Sequence, residues 1–198
     1  MRLLVLDASL SRCLAALTEG ETVLMQRVHD GAHGQAAALP PLVEAVLHGP
    51  VDAIAVGIGP GSFTGLRCAI ALAEGLGIAR AIPVIPVSTG EALVAMREGA
   101  WAVTENRRGE LFLERPGLAP PCVVAEVDLP RPAQLTWIMG DGAPRAVARM
   151  LARGWPAGLG EARRIEAPAL ARIALRRLAG TLQPRALEPL YVEPPATT

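Results

Sequence analysis

Apolar residues in the first half of the chain recur in short runs that predict strands and helices in a regular order. The runs at residues 3–7, 13–17 and 22–28 are apolar or alternate with polar residues, which is typical of strands. After them, the pattern switches between the period of a helix and that of a buried strand. The predicted elements are a helix at 39–47, a strand at 53–57, a helix at 64–80, a strand at 83–87 and a helix at 91–98. Pro40 and Pro41 suit the first turn of the helix at 39–47.

The second half begins with the same kind of pattern. Residues 101–105 and 110–113 predict two strands joined by a hairpin turn, which suggests a second, abbreviated copy of the first unit. The order β-β-β-α-β-α-β-α is that of the half-domain of ribonuclease-H-like, actin-like ATPase folds. We therefore expect an α/β protein with mixed sheets in two lobes. The first lobe should span residues 1–100 and the second, reduced lobe residues 101–198 with the C-terminal helix.

A glycine-rich turn joins the strand at 53–57 to the helix at 64–80. Such a turn has two interpretations, a cradle for nucleotide phosphates or a closely packed corner between strand and helix. Asp7 ends the first strand, where actin-like ATPases have an acidic residue near the metal and the phosphates, and Gly59 and Gly61 would face the same cleft. These three residues are the candidate nucleotide site. Ser62 is interpreted as the cap of the helix, because its surroundings lack the G-x-S-x-G pattern of a serine nucleophile.

The helix at 64–80 is apolar on every side except at Arg67 and Glu74, whereas a helix that covers a sheet needs an apolar stripe of only about 100°. Either the helix lies in a crowded core or its outer side contacts another protein, and we favour the contact. The predicted contact residues lie on this helix and on the helix at 39–47. They are Leu42, Val43, Val46, Leu47, Arg67, Ile70, Ala71, Ala73 and Glu74.

Composition excludes several classes of function. All 19 basic residues are arginine, so a Walker A loop and a Schiff-base lysine are absent. The 19 arginines balance 19 acidic residues, which gives a net charge of zero. With 3% aromatic residues and no positive excess, the chain lacks the features of an autonomous RNA binder. His29 and His33 have a spacing that suits a metal only on a helix, and we interpret them as turn residues. Short apolar runs predict neither a membrane span nor a signal peptide, so we expect a cytoplasmic protein.

The arginine-rich segment 161–178 has a charged face and an apolar face. Its arginines are Arg163, Arg164, Arg172, Arg176 and Arg177. This pattern is typical of a solvated helix face, and less often of a contact with tRNA phosphates or an acidic partner. Both interpretations stay open on the sequence alone.

Several stretches of the chain resemble one family. Residues 59–67 read GPGSFTGLR, residues 3–9 read LLVLDAS and residues 188–192 read EPLYV. These motifs resemble those of the bacterial tRNA threonylcarbamoyladenosine biosynthesis family TsaB, also called YeaZ. The resemblance covers most of the chain and is strongest up to Leu93.

The resemblance implies an actin-like scaffold without catalysis of its own. Its partner would be a TsaD-type transferase, which moves threonylcarbamoyl onto the adenosine beside the tRNA anticodon, and a TsaE-type ATPase would be the third component. Alone, the chain would form a homodimer, and it would meet tRNA only through the complex. Thr89 and Leu93 stand where the catalytic paralogue has metal-binding histidines, so no metal is expected. No cofactor is required, with weak ATP or ADP binding left open; the alternative is a stand-alone weak nucleotide hydrolase or a peptidase-like protein.

Overall fold

Two five-stranded mixed sheets, one from each half of the chain, form the framework of the protein. The computed structural model describes residues 1–31, 34–106 and 109–192. The elements of the first half are β1 (Arg2–Asp7), β2 (Arg12–Glu19), β3 (Thr22–Asp30), α1 (Gln35–Val46), β4 (Ala53–Gly57), α2 (Phe63–Arg80), β5 (Val84–Val87) and α3 (Thr89–Val94). Their order along the chain is the order predicted from the sequence.

The first sheet has the strand order β3-β2-β1-β4-β5, so β1 is central. It pairs antiparallel with β2 and parallel with β4, which makes the sheet mixed as predicted. Side chains alternate between the two faces of a strand. Leu4 and Leu6 accordingly pack with α1 and α2 on one face, while Leu3 and Val5 point to the other face.

The second sheet repeats this topology. Its elements are β6 (Trp101–Glu105), β7 (Leu111–Arg115), β8 (Ala119–Val124), a 3-10 helix (Glu126–Asp128), β9 (Thr136–Met139), α4 (Ala143–Ala152), β10 (Ala157–Leu159) and α5 (Ala167–Leu178). The strand order β10-β9-β6-β7-β8 gives β6 the central place that β1 has in the first sheet. Where the first lobe has α1, the second has only the three-residue 3-10 helix, so the second lobe is the reduced copy.

The C-terminal helix α5 lies on the first sheet, although the sequence assigned it to the second lobe. Leu170, Ile173 and Ala174 pack in one cluster with Leu3 and Val5. The physical reason is that the apolar residues on both faces of the sheet must be shielded from water. Because α1 and α2 share one face, the apolar residues of β1 on the other face need another helix. A division of the chain at residue 100 therefore describes the two sheets but does not describe the packing of α5.

Two predicted boundaries were wrong. α1 begins at Gln35 rather than at residue 39, so Pro40 and Pro41 lie inside the helix instead of in its first turn. Because Pro40 has no N–H, the carbonyl of Ala36 loses its helical partner, and the thiol of Cys68 donates to that carbonyl at 3.4 Å. α3 ends at Val94, four residues before the predicted end.

α2 is an 18-residue helix. The Ser62 hydroxyl accepts a hydrogen bond from the Gly65 N–H at 3.3 Å, so the predicted cap is present. At the other end, Ala81 adopts a left-handed conformation with φ 52° and closes the helix. Within the described residues, no helix is both long and apolar enough to pass through a lipid bilayer.

Candidate functional site

A cleft between the two lobes contains two adjoining cavities. The larger one, about 440 Å³, lies between the start of α2 and the β6–β7 hairpin, with Ser62 and Phe63 on one side and Phe112 on the other. The smaller one, about 280 Å³, is lined by Asp7 and by arginines of the segment that leads into α5. Asp141 lies on the wall of both cavities. Of the predicted nucleotide site, Asp7 lines the smaller cavity and Gly61 the larger one.

Asp7 is almost fully buried and is bonded within its own turn. The Ser9 hydroxyl donates to Oδ1 at 2.8 Å, and the Ser9 N–H donates to Oδ2 at 3.3 Å. Burial raises the pKa of Asp7 to about 6, although the Ser9 hydrogen bonds and the charge of Arg12 oppose the shift. The Arg12 guanidinium itself bonds to the Ile165 carbonyl and to Glu166, at 2.6 and 3.0 Å.

The glycine-rich turn packs closely against the turn between β1 and β2. A Cβ on Gly61 would lie 2.1 Å from the Ser9 carbonyl oxygen, and a Cβ on Gly65 would lie 2.1 Å from the Ala8 oxygen. The Ser62 N–H, at the start of α2, donates to the Ser9 oxygen at 2.6 Å. The Ser62 N–H, which a phosphate cradle would offer, is thus used within the chain, and the close approach at Gly61 and Gly65 supports the closely packed corner.

Gly59, the third predicted nucleotide-site residue, has a different environment from Gly61. Its φ is +101°, and a Cβ there would lie 2.7 Å from Leu66 Cδ1. Its carbonyl accepts from the Thr89 N–H at 2.7 Å, and the Thr89 hydroxyl donates to the Pro60 carbonyl at 2.9 Å. Thr89 therefore holds the glycine-rich turn in place.

The sequence predicts no metal at Thr89 or Leu93, or at His29 and His33. Leu93 is buried in the core with α5. In the residues that the structure describes, His, Cys, Asp and Glu side chains do not form a group of three that could hold a metal ion. His33 lies outside the described residues, so the expectation of no metal at His29 and His33 stays a prediction.

The structure defines the rotation of α2, which the sequence left open. One stripe of the helix is exposed, with spacings of four, four, three and four residues. This outer stripe consists of Phe63, Arg67, Ala71, Glu74 and Ile78. Ile78 is 78% exposed and Phe63 is 47% exposed, large values for apolar side chains.

Three of the nine predicted contact residues, Arg67, Ala71 and Glu74, lie on this outer stripe. Val43, Val46, Ile70 and Ala73 instead pack in the core between the helices and the sheet. Leu42 and Leu47 are half-buried against the same core. The prediction therefore included too many contact residues. Much of the apolar surface of α2 is buried within the molecule, because one side of the helix faces β4 and another faces α1.

An aromatic and arginine cluster extends the outer stripe, and the sequence analysis did not find it. The rings of Phe63 and Tyr191 stack with their centroids 5.7 Å apart. The Arg67 guanidinium lies 3.9 Å from the Phe63 ring centroid, and its Nε donates to the Tyr191 hydroxyl at 2.8 Å. Tyr191 belongs to the motif EPLYV, but no local pattern shows that it meets a helix 124 residues away.

A buried polar network joins the lobes, and it too was missed. Glu114 on β7 accepts from the Ser88 hydroxyl and from the Gly90 N–H at the start of α3. Burial raises the pKa of Glu114 to about 7, while its hydrogen bond to Ser88 opposes the shift. Glu91 bonds to Arg177 at 2.7 Å and to Arg185 at 3.0 Å. The second lobe thus supplies a carboxylate that binds the first turn of a helix in the first lobe.

The arginine-rich segment 161–178 is partly used inside the molecule. Arg172 pairs with Glu21 at 2.7 Å, and Arg177 is a buried member of the interlobe network. Arg164 lies 3.5 Å from Asp30, and both side chains are exposed. These bonds support a largely structural role for the segment.

Comparisons with known proteins agree with the motif resemblance. Residues 36–106 match the family model described as TsaD: tRNA N6-adenosine threonylcarbamoyltransferase. The tRNA threonylcarbamoyladenosine biosynthesis protein TsaB of Escherichia coli K12 is 33% identical, over 57% of this chain and 53% of that protein. The TsaB of Haemophilus influenzae is 35% identical, over 51% and 44%. The resemblance to TsaB is confirmed.

Two solved structures show that the shared fold extends over nearly the whole chain. A Pseudomonas aeruginosa protein with similarity to peptidase YeaZ superposes with a TM-score of 0.74 at 23% identity, over 97% of this chain and 99% of that one. YeaZ from the same organism gives a TM-score of 0.72 at 24% identity. The chain therefore has the fold of YeaZ, and the repeated topology of its two mixed sheets agrees with the predicted ribonuclease-H-like, actin-like fold. The chain spans about half the length of the curated TsaB relatives that it matches.

Proposed function

We propose that this chain is the non-catalytic scaffold of the complex that installs threonylcarbamoyl on the adenosine beside the tRNA anticodon. It would bind and activate a TsaD-type transferase through α2, with a TsaE-type ATPase as the third component. It would contact tRNA only through that complex, in the cytoplasm. The names of the TsaB relatives support the pathway, and the outer stripe of α2 is the observation that supports the contact.

The outer stripe has the composition of a helix contact. Phe63 and Ile78 place large apolar groups at its ends, and Ala71 leaves room for a close approach at its centre. Arginine and large aromatic residues are enriched at the energetically important positions of interfaces. Phe63 and Ile78 are exposed apolar side chains on the same side of one helix, which suits a surface that a partner covers.

The stripe is also complementary to itself, which supports a homodimer when the partner is absent. Positions 67 and 74, and positions 63 and 78, lie symmetrically about the midpoint between residues 70 and 71. In an antiparallel pair of α2 helices related by a two-fold axis at that midpoint, Arg67 faces Glu74 of the second copy. Phe63 then faces Ile78 of the second copy, and the two copies of Ala71 meet near the axis.

The cleft supports a role without catalysis. The Asp7 carboxylate is bonded to Ser9, and the glycine-rich turn is packed on the chain's own backbone. Thr89 and Leu93 replace the histidines of the catalytic paralogue with side chains that hold a turn and fill the core. No cofactor is required for a scaffold, and weak ATP or ADP binding at Asp7, Gly59 and Gly61 stays a prediction.

The test is the substitution Ala71→Glu, with Ala148→Glu as a matched control. Ala148 is an exposed alanine on α4 in the second lobe, away from α2. We expect Ala71→Glu to abolish copurification with the organism's TsaD-type transferase and to lower threonylcarbamoyladenosine in bulk tRNA, while Ala148→Glu changes neither. Unchanged copurification and modification with folded Ala71→Glu would overturn the proposal. Turnover of ATP or a peptide by the purified chain alone would favour the hydrolase alternative.

A further inference from the structure

The segment after α5 crosses from one face of the first sheet to the other. This C-terminal strap, residues 180–192, begins on the α5 face, where Arg185 bonds to Glu91 at 3.0 Å. Further on, Leu187 and Leu190 pack against the core beneath α1 and α2. The Leu190 N–H donates to the Ile58 carbonyl at 2.8 Å. Because polar and apolar contacts hold the strap at both ends, the position of Tyr191 is determined by the fold.

Tyr191 in turn holds Arg67. The Tyr191 hydroxyl accepts from Arg67 Nε at 2.8 Å, and the guanidinium lies over the Phe63 ring. This hydrogen bond uses the Nε group of Arg67, whose side chain is on the exposed side of α2, and among the residues that the structure describes the two terminal nitrogens make no hydrogen bond. A planar guanidinium with two adjacent terminal nitrogens is the geometry that binds a carboxylate with two parallel hydrogen bonds.

We propose that the strap completes the contact surface of α2, with Tyr191 as a positioning residue that presents Arg67 to a carboxylate. The occupant is Glu74 of a second copy of this chain. The inference rests on the proposed role of α2 as a contact helix and adds the residue that orients its arginine. The outer stripe contains one arginine and one glutamate, and the antiparallel two-fold arrangement brings each to the other copy's opposite charge.

Positioning matters because an arginine side chain is flexible. Ordering a long side chain at an interface costs conformational entropy, and a side chain already held in place avoids part of that cost. Phe63 and Tyr191 hold Arg67 before the second copy arrives. Without the Tyr191 hydroxyl, the ring would still stack on Phe63, but the guanidinium would lose its anchor.

The charge pair is tested by exchanging charges between two separate proteins. Arg67→Glu alone places two glutamates opposite each other at the contact, and Glu74→Arg alone places two arginines there, so each variant should be monomeric by sedimentation velocity. We expect an equimolar mixture of the two variants to form a heterodimer, because every contact then joins opposite charges. The inference would be overturned if the mixture stays monomeric. It would also be overturned if the wild-type chain stays monomeric at about 100-fold the protein concentration used in sedimentation velocity for the variants.

The role of Tyr191 is tested by a double-mutant cycle, because a merely structural residue would not act through the charge pair. We expect Tyr191→Phe to raise the dimer dissociation constant about three- to tenfold in the wild type and to change it little when Glu74→Gln is present. An equal effect in both backgrounds would overturn the positioning role. Ala71→Glu separates the two proposals: if it abolishes association while the charge-exchanged mixture stays monomeric, α2 remains the contact helix and the Arg67–Glu74 pair is wrong.

Discussion

Ala71 and Ala73 lie two positions apart on α2, yet Ala71 is exposed and Ala73 is completely buried against the first sheet. Residues that are two positions apart in an α-helix are separated by about 200° around its axis. One helix can therefore present both a core face and a contact face. The same substitution at the two positions therefore tests two different properties of the molecule.

We expect Ala73→Glu to destabilise the fold by several kcal/mol, because a buried carboxylate without a partner loses its hydration. At protein concentrations at which the wild type is monomeric, Ala71→Glu should leave the free energy of unfolding within about 0.5 kcal/mol of the wild type, as an exposed helical site allows. Urea unfolding followed by circular dichroism measures both. Equal destabilisation by the two variants would contradict the rotation of α2 described above.

The sequence predicted the elements that local pattern determines. β4 has the predicted bounds because five consecutive buried residues lie between turn residues. The start of α1 was wrong because Gly34, with φ 80°, precedes the helix and no side chain caps it, so the usual signal is absent. Pro40 and Pro41 gave a false start signal.

Contacts between residues that are far apart in the chain could not be predicted from the sequence. The apolar face of α5 shows that the helix is covered, but it does not show which sheet covers it. Glu114 and Ser88 are 26 residues apart, and Tyr191 and Arg67 are 124 apart. Such pairs depend on how the elements pack, and the same residue types are common on solvated surfaces.

Gly65 and Gly75 provide a matched pair on α2. A Cβ at Gly65 would lie 2.1 Å from the Ala8 oxygen, whereas a Cβ at Gly75 would meet no described residue within 4 Å apart from its chain neighbours and the helix's own backbone. We expect Gly75→Ala to stabilise the protein by about 0.5–1 kcal/mol, as alanine does at an open helical site. Gly65→Ala should instead destabilise it by more than about 2 kcal/mol, because backbone atoms must move.

Both glycine variants are best measured by thermal unfolding in the Ala71→Glu background, where self-association does not contribute. If Gly65→Ala were as stable as Gly75→Ala, the close packing of the glycine-rich turn on the β1–β2 turn would be wrong, and an open phosphate cradle would again be the better interpretation.

The histidines lead to a prediction about metal content. We expect purified protein to contain no stoichiometric transition metal and His29→Ala to leave its metal content unchanged. Elemental analysis by mass spectrometry, after dialysis against buffer without chelator, is the measurement. One equivalent of zinc or iron that is lost on His29→Ala would show that the H-x-x-x-H spacing of His29 and His33 binds a metal.

The buried Glu114 predicts how stability depends on pH. Burial raises its pKa from 4.5 to about 7 in the folded state, so between these values the folded protein holds a proton that the unfolded chain releases. The contribution of Glu114 to stability is therefore complete below about pH 4.5 and is lost as pH rises through 7. A shift of this size corresponds to about 3 kcal/mol at most.

The substitution Glu114→Gln tests this dependence, because a glutamine resembles the protonated carboxyl in shape and can still accept from the Gly90 N–H. We expect the free energy of unfolding of the wild type to fall relative to that of Glu114→Gln between pH 5 and pH 8. Glu98→Gln, at an exposed glutamate on the loop after α3, is the matched control and should follow the wild type. Urea denaturation at each pH provides the measurement. Parallel curves for the wild type and Glu114→Gln would mean that Glu114 stays ionised in the fold, held by Arg185 across 3.6 Å.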